Sequence, residues 1–500
     1  MSSEAQIKAF AEKYNIKNTS LIKTGAFVNG EWIHPGNETF AVEDPATGEK
    51  LLDVINTPID VIEQSIKDAK VAFDKFKKES TGRSRGVLLK KLFDLMTENA
   101  EDLARLVTIE NGKALADSRG EVKYGASFFE WFAEEAPRSY GDNIPSTDLA
   151  KRIITYKQPV GVVGILTPWN FPTAMITRKL GAAVAAGCTS VIKPATETPL
   201  SALAVAALIE QAGFPKGVVN ILPVDQERTK KVGTLFCESP LIKKISFTGS
   251  TGVGKLLMTQ SASTLKKLSF ELGGNAPLII FDDAKLDVAI VGTIASKLRQ
   301  SGQTCVCANR VYVQSGIYDE FSKLLVEEVK KLKQGNGLDE GVTHGPLIHD
   351  RAVEKVQSHI KDAVGKGAKI LTGGKVNTEL GPLFHELTVL GDVPKTAVVN
   401  KDETFGPLVP LIKFETEEEV IELANDTEYG LASYFFTEDY RRIFRVGEAL
   451  NSGMVGANAG AITEAALPFG GVGWSGFGRE GSKYGLDDYT VIKSVVIGGL

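Results

Sequence analysis

The chain is poor in sulfur and imidazole: its 500 residues hold four cysteines, five methionines and five histidines. Cys188, Cys237, Cys305 and Cys307 are too few in so long a chain to form a disulfide framework. The histidines, at 34, 344, 349, 359 and 385, show no ligand spacing toward each other or toward the cysteines, so no metal site is expected. No apolar run approaches the about 20 residues that span a bilayer. Basic charge is also short, with 57 Lys and Arg against 62 Asp and Glu and a net charge of −5. That balance argues against nucleic acid or an anionic membrane as partner. The opening MSSEAQIKAFAEKYNIKNTS lacks a basic segment followed by an apolar one, and it is too acidic and Arg-poor for a transit peptide. A cytoplasmic, reduced protein is expected, with the sequons at Asn18 and Asn37 unused.

What is present is more chain than one core organises, so two or three domains are expected. From about residue 58 to 138, VIEQSIKDAKVAFDKF and RSRGVLLKKLFDLMTENAEDLARLV place apolar residues at helical spacing. From VGVVGILTP onward the texture changes. Val- and Ile-rich runs (TSVIKP, GVVNILP, KKISFTG) alternate with helical segments (MITRKLGAAVAAG, LSALAVAALIEQAG, GKLLMTQSAS). Such alternation marks an α/β fold with a parallel sheet covered on both faces. A second series begins near residue 275 with APLIIF, VYVQ, FSKLLVEEVKKL, EKVQSHIKDAVGKG and AKILTGG. KRIITYKQPV (151–160) and DDYTVIKSVVIGGL (487–500) stand outside both series. Isolated strands of this kind pair with each other or with another subunit, because an open edge invites aggregation.

Four stretches carry candidate chemistry. ISFTGSTGVGKLL (245–257) reads as strand, glycine-rich turn and helix, a geometry that offers backbone N–H groups to a phosphate. Gly249 to Lys255 nearly matches a Walker A loop, but Leu256 stands where a magnesium-holding Ser or Thr belongs. The same glycines also miss the G-x-G-x-x-G dinucleotide spacing, and an ordinary tight turn fits as well. Glu271, in FELGGNAP, is either a general base whose pKa an apolar setting raises or a surface glutamate at a strand end. Asn170, in TPWNFP, is either a fixed amide donor for an oxyanion or the cap of the following helix. In SGQTCVCANR (301–310) the cysteines lack the partners for metal, which leaves a redox pair or a nucleophile. A thiolate beside helix N-terminal amides would be activated without a histidine.

Together, TPWNFP, FTGSTGVG, ELGGNAP, GQTCVCANR, ETFGPLVP and PFGGVGWSGFGREG resemble the aldehyde dehydrogenase superfamily in order and spacing, over roughly residues 25 to 498. WNFPTAMITRKLGAAVAAGC, GREGSKYG and the cysteine stretch are most similar to the members that oxidise succinate semialdehyde, as in 4-aminobutyrate degradation. The resemblance implies a Rossmann-type cofactor domain (1–142 and 162–273), a second α/β catalytic domain (274–465) and a β oligomerisation arm (143–161 and 484–500) in a homodimer or homotetramer. It implies that Cys305 attacks the aldehyde, that Asn170 and the Cys305 N–H hold the oxyanion, and that Glu271 activates water, with Lys179 and Glu480 relaying protons.

For the cofactor, the resemblance implies Gly249, Ser250 and Gly254 in the turn under the pyrophosphate and Trp169, Leu272 and Phe405 near the nicotinamide. Glu403 falls on one ribose and Lys193 on the other. Thr196 stands where NAD-restricted relatives carry a glutamate, so NADP is expected to be accepted, alone or alongside NAD, although Glu197 is one residue away. Arg178, Arg299 and Thr463 fall where this branch binds the substrate carboxylate, and Cys307 is the candidate second thiol of a redox switch. The rival readings are a glutarate-semialdehyde or broad-specificity aldehyde dehydrogenase.

Overall fold

In the computed structural model, which describes residues 4–36 and 38–500, valine- and isoleucine-rich runs build two largely parallel sheets. The first places Val219–Ile221, Thr189–Lys193, Val162–Leu166, Ile242–Thr248 and Lys267–Glu271 side by side, all parallel. The direction of winding reverses between Val162–Leu166 and Ile242–Thr248, and open sheets bind ligands at the carboxyl ends of strands beside such a reversal. Helices Ala174–Ala186, Pro199–Ala212, Gln226–Glu238 and Thr251–Ser261 make the connections. The first two are buried on nearly every face, because the helices Gly82–Glu98, Ala100–Asn111 and Leu115–Glu135 pack over them. The long helix read through residues 83–107 breaks at Asn99. Its N–H and its side-chain amide both bond the Leu95 carbonyl, ending one helix as the next begins.

The second sheet runs Lys369–Thr372, Thr388–Gly391, Leu408–Phe414, Ala308–Gln314, Ala276–Ile280, Ala432–Phe436, Met454–Ala457, parallel except for the first pair. Four of these strands, Thr388–Gly391, Leu408–Phe414, Ala432–Phe436 and Met454–Ala457, escape the sequence pattern. Pro410 sits inside one of them, and a proline ordinarily argues against an inner strand. Leu272–Asn275 is all that separates the end of Lys267–Glu271 from the start of Ala276–Ile280. The carboxyl edge of the first sheet therefore abuts the amino edge of the second.

Two late segments complete the frame. Gly476–Phe477, in a stretch that the sequence division leaves unassigned, joins the first sheet antiparallel to Lys267–Glu271, with Gly476 opposite Glu271. Thr490–Gly498 pairs along its length with Lys151–Pro159, so the two isolated strands meet within one chain. Val491, Ile492, Val496 and Tyr156 of that ribbon stay exposed. The Asn18 amide is engaged, donating to Asn99 Oδ1 at 2.7 Å, while Asn37 lies outside the described residues. Among the described residues no helix is long and apolar enough to cross a membrane.

Candidate active site

Cys305 owes its position to a sharp reversal of the chain. After helix Leu286–Lys297, Gln300 and Ser301 adopt left-handed φ of 51° and 53°. The chain then enters a short loop ahead of strand Ala308–Gln314. The expectation that helix N-terminal amides activate this thiol is not met, because a strand, not a helix, follows it. Burial pushes the thiol up to about 12, the Arg178 cation pulls it down, and Glu271 adds to the rise. The resting sulfur is therefore protonated. It opens into a cavity whose walls include Tyr124, Phe171, Arg178, Arg299, Thr463 and Phe469.

Beside the sulfur lie four buried charges, none more than 4% exposed. Arg178 and Lys179 are neighbours on helix Ala174–Ala186, Glu271 ends a strand of the first sheet, and Glu480 follows Gly476–Phe477. Arg178 Nη2 lies 3.3 Å from Glu271 Oε2. Arg178 and Lys179 both pair with Glu480. Burial raises Glu271 to about 8, with Arg178 pulling it down and Glu480 pushing it up. Burial also works to raise Glu480, but the charges of Arg178 and Lys179 win and hold it below its ordinary value. Lys179 is lowered by burial, against the opposing charge of Glu480. Glu271 Oε1 has no partner among the described residues.

The two arginines read together in the sequence differ here. Arg178 is tied to carboxylates, whereas Arg299 meets no carboxylate among the described residues and lies over the Phe171 ring at 5.3 Å. Thr463 lines the same cavity. Asn170 does not cap the following helix, whose N-cap is Thr173. Its Nδ2 donates to the Gln303 carbonyl at 3.0 Å, which leaves its second amide hydrogen available. Sequence reasoning missed the groups that hold this loop: Asn111, Lys113, Glu121 and Gln300. One signal was available, since Glu121 lies on the buried stripe of its helix, with Ser118, Val122 and Gly125, where the helical period favours an apolar residue.

At the winding reversal, Ser250 caps helix Thr251–Ser261 by accepting from Val253 N. A Cβ on Gly249 would lie 2.4 Å from the Phe247 ring and one on Gly254 2.5 Å from Leu272, while Gly252 faces open space. The Walker reading fails: the Lys255 ammonium stacks over Trp474 at 3.4 Å, and Leu256 is exposed. Lys193, buried, donates to Thr229 Oγ1 at 3.3 Å; burial lowers it to about 8, with the Glu197 charge opposing. The Thr196 hydroxyl donates to the Val224 carbonyl at 3.1 Å. Trp169 and Phe405 meet edge-on at 5.8 Å. Glu403 accepts from Gly274 N at 3.1 Å, and burial raises it to about 7 against that hydrogen bond. Cys307 is buried outside the cavity wall, its Sγ 2.9 Å from Thr304 Oγ1 and 3.5 Å from the Lys297 carbonyl.

Residues 32–495 match the model of the aldehyde dehydrogenase family. The chain is 53% identical over 490 residues to a Saccharomyces cerevisiae protein named succinate-semialdehyde dehydrogenase, NADP(+), covering 98% of each chain. It is equally, 53%, identical to the glutarate-semialdehyde dehydrogenase of Pseudomonas aeruginosa, over 97% of this chain and 100% of that one. The crystal structure of succinate-semialdehyde dehydrogenase from Burkholderia pseudomallei shares the backbone with a TM-score of 0.94 at 51% identity, covering 97% and 99% of the two chains. With half-identical relatives and a common backbone from end to end, the chain belongs to the aldehyde dehydrogenase family.

Proposed function

We propose that the protein oxidises succinate semialdehyde to succinate with NADP or NAD. The observation that carries this reading is the cavity lined by both Cys305 and Arg299, a guanidinium that no carboxylate among the described residues satisfies. A buried carboxylate favours a guanidinium fork and a hydroxyl, and Arg178 and Thr463 stand on the same walls. The similar proteins named above, and a 51% identical 3-sulfolactaldehyde dehydrogenase of Pseudomonas putida, act by name on aldehydes that carry an anionic group.

Cys305 Sγ gives its proton to solvent in the cavity and attacks the aldehyde carbon, and the oxygen that becomes negative is held by Asn170 Nδ2 and the Cys305 N–H. The chemistry a bound nicotinamide supplies is hydride acceptance, which converts the adduct on Cys305 to a thioester. Glu271 then takes a proton from water as it attacks the thioester carbonyl, releasing succinate and the thiol. Lys179 and Glu480, linked to Glu271 through Arg178, carry that proton outward.

The residues at the winding reversal fit a dinucleotide. Gly249 and Gly254 admit no side chain, Ser250 caps a helix N-terminus suited to the pyrophosphate, and the buried Lys193 supplies a cation for the adenosine ribose. Glu403 suits the other ribose, and Trp169, Leu272 and Phe405 the nicotinamide. A neutral Thr196 beside Lys193 tolerates a 2′-phosphate, so NADP is used; a preference for NAD beyond about a thousandfold, some 4 kcal/mol, overturns that. The exposed apolar ribbon of Lys151–Pro159 and Thr490–Gly498 supports a homodimer or homotetramer, which sedimentation would count. The four unbridged cysteines support a cytoplasmic protein.

The deciding measurement is reduced-cofactor formation with succinate semialdehyde, glutarate semialdehyde and butanal. Succinate semialdehyde should exceed butanal in kcat/KM by about a hundredfold or more, and Cys305→Ser should abolish turnover. Equal rates on butanal defeat the carboxylate pocket. A preference for glutarate semialdehyde, one methylene longer, establishes the second reading, which the equally similar relative supports.

A further inference from the structure

Trp169–Thr173 has no regular structure of its own, so its backbone polar groups need partners from elsewhere. Asn111 Nδ2 donates to the Trp169 carbonyl at 2.8 Å. The Asn170 carbonyl accepts twice, from Lys113 Nζ at 2.6 Å and from Gln300 Nε2 at 2.7 Å. Glu121 Oε1 accepts from the N–H groups of Thr173 and Ala174, at 2.8 and 3.3 Å, while its Oε2 receives Lys113 Nζ at 2.5 Å. The Lys113 and Glu121 side chains are fully buried.

Gln300 connects this arrangement to the sulfur. Its carbonyl accepts from Gln303 Nε2 at 3.3 Å, and the Gln303 carbonyl accepts from Asn170 Nδ2 at 3.0 Å. Asn170 is thus held at its backbone by Gln300 and at its side chain by Gln303, and Cys305 follows two residues later. A hydrophobic pair of similar volume would stabilise the fold as well as a buried ion pair does. What the ion pair adds is direction, since a buried ammonium and a carboxamide fix where one carbonyl points.

We propose that Lys113, Glu121 and Gln300 are positioning residues that form a clip setting the distance and angle between the Asn170 amide and Cys305 Sγ. The clip rests on the reading of Asn170 as an oxyanion donor. It acts only through Asn170, so its effect disappears when the amide is gone. That coupling separates it from a clip that merely holds the loop folded.

The test is a double-mutant cycle. Gln300→Met removes the amide that donates to the Asn170 carbonyl and to Asn111 Oδ1 without stranding a charge, and should lower kcat about 10- to 100-fold, the scale of a misplaced catalytic group, with the cofactor KM unchanged. Asn170→Ala should cost about 100- to 1000-fold, and adding Gln300→Met to it should cost less than about twofold more. Lys113→Met combined with Glu121→Gln, which leaves no buried charge, reads the other arm in the same two backgrounds with the same expectation. Equal losses with and without Asn170, or no loss from either arm, overturn the clip alone. An Asn170→Ala enzyme with full kcat overturns the oxyanion reading and the clip with it.

Discussion

Lys113 with Glu121 makes one buried set of charges beside the cavity; Arg178 and Lys179 with Glu271 and Glu480 make the other, and each set is neutral in sum once Glu271 is ionised. In the first, both oxygens of Glu121 accept hydrogen bonds and the ammonium also meets a backbone carbonyl. In the second, Glu271 keeps one oxygen unpartnered and its acid form persists to about 8. Cancelling the charge is therefore not what distinguishes them. A set whose carboxylate oxygens both accept hydrogen bonds fixes geometry, whereas a set that leaves a carboxyl oxygen open stays able to trade a proton.

Breaking the open set should have the largest effect. Glu271→Gln should lower kcat about a thousandfold, yet leave the first-turnover burst of reduced cofactor visible in stopped-flow absorbance, because thioester formation precedes the step it serves. Breaking the closed set should show in stability as well. Lys113→Met alone strands the Glu121 carboxylate and should cost about 3–5 kcal/mol in urea unfolding, a loss that adding Glu121→Gln reduces.

Acidity sharpens the contrast further. A carboxylic acid raised to about 8 is protonated, and useless as a base, below that pH, so kcat should rise roughly tenfold per pH unit toward about 8 and then level. Arg178 pulls Glu271 and Cys305 down, so Arg178→Gln should move the profile to higher pH by about one unit. The Lys113→Met/Glu121→Gln enzyme should keep the wild-type profile at lower amplitude. The smallest effect lies outside both sets. Mild peroxide should give a Cys305–Cys307 bridge that reductant reverses, read by mass spectrometry, once Cys307 leaves Thr304 and the Lys297 carbonyl. Cys307→Ser should turn that inactivation irreversible, as Cys305 oxidises further.

Much of this was legible in the sequence wherever local pattern and local structure coincide. The strand–turn–helix at 245–257 could be read because Gly249 is dictated by a neighbour two residues away, Phe247. Leu408–Phe414 could not, because the sheet tolerates Pro410 for reasons of pairing that lie over distant residues. Cys305 was visible as reactive, but its surroundings were misjudged. The left-handed turn at Gln300 and Ser301, which sends it into a loop before a strand, leaves no mark in residues that carry neither glycine nor asparagine. Lys113 stayed hidden because, taken alone, it reads as an ordinary surface charge, whereas the mark of Glu121 is its place on the buried stripe of its helix.

Glu480 meets Lys179 although the two lie 301 positions apart along the chain, and it is brought there by the short strand Gly476–Phe477 on the edge of the first sheet. Contacts so far apart along a chain form late. While the protein is being made, two cations already packed into the helix Ala174–Ala186 wait for their anion until almost all of the polypeptide has emerged. The centre is thus completed last, and a chain cut short before Glu480 carries both cations without the anion that pairs with them.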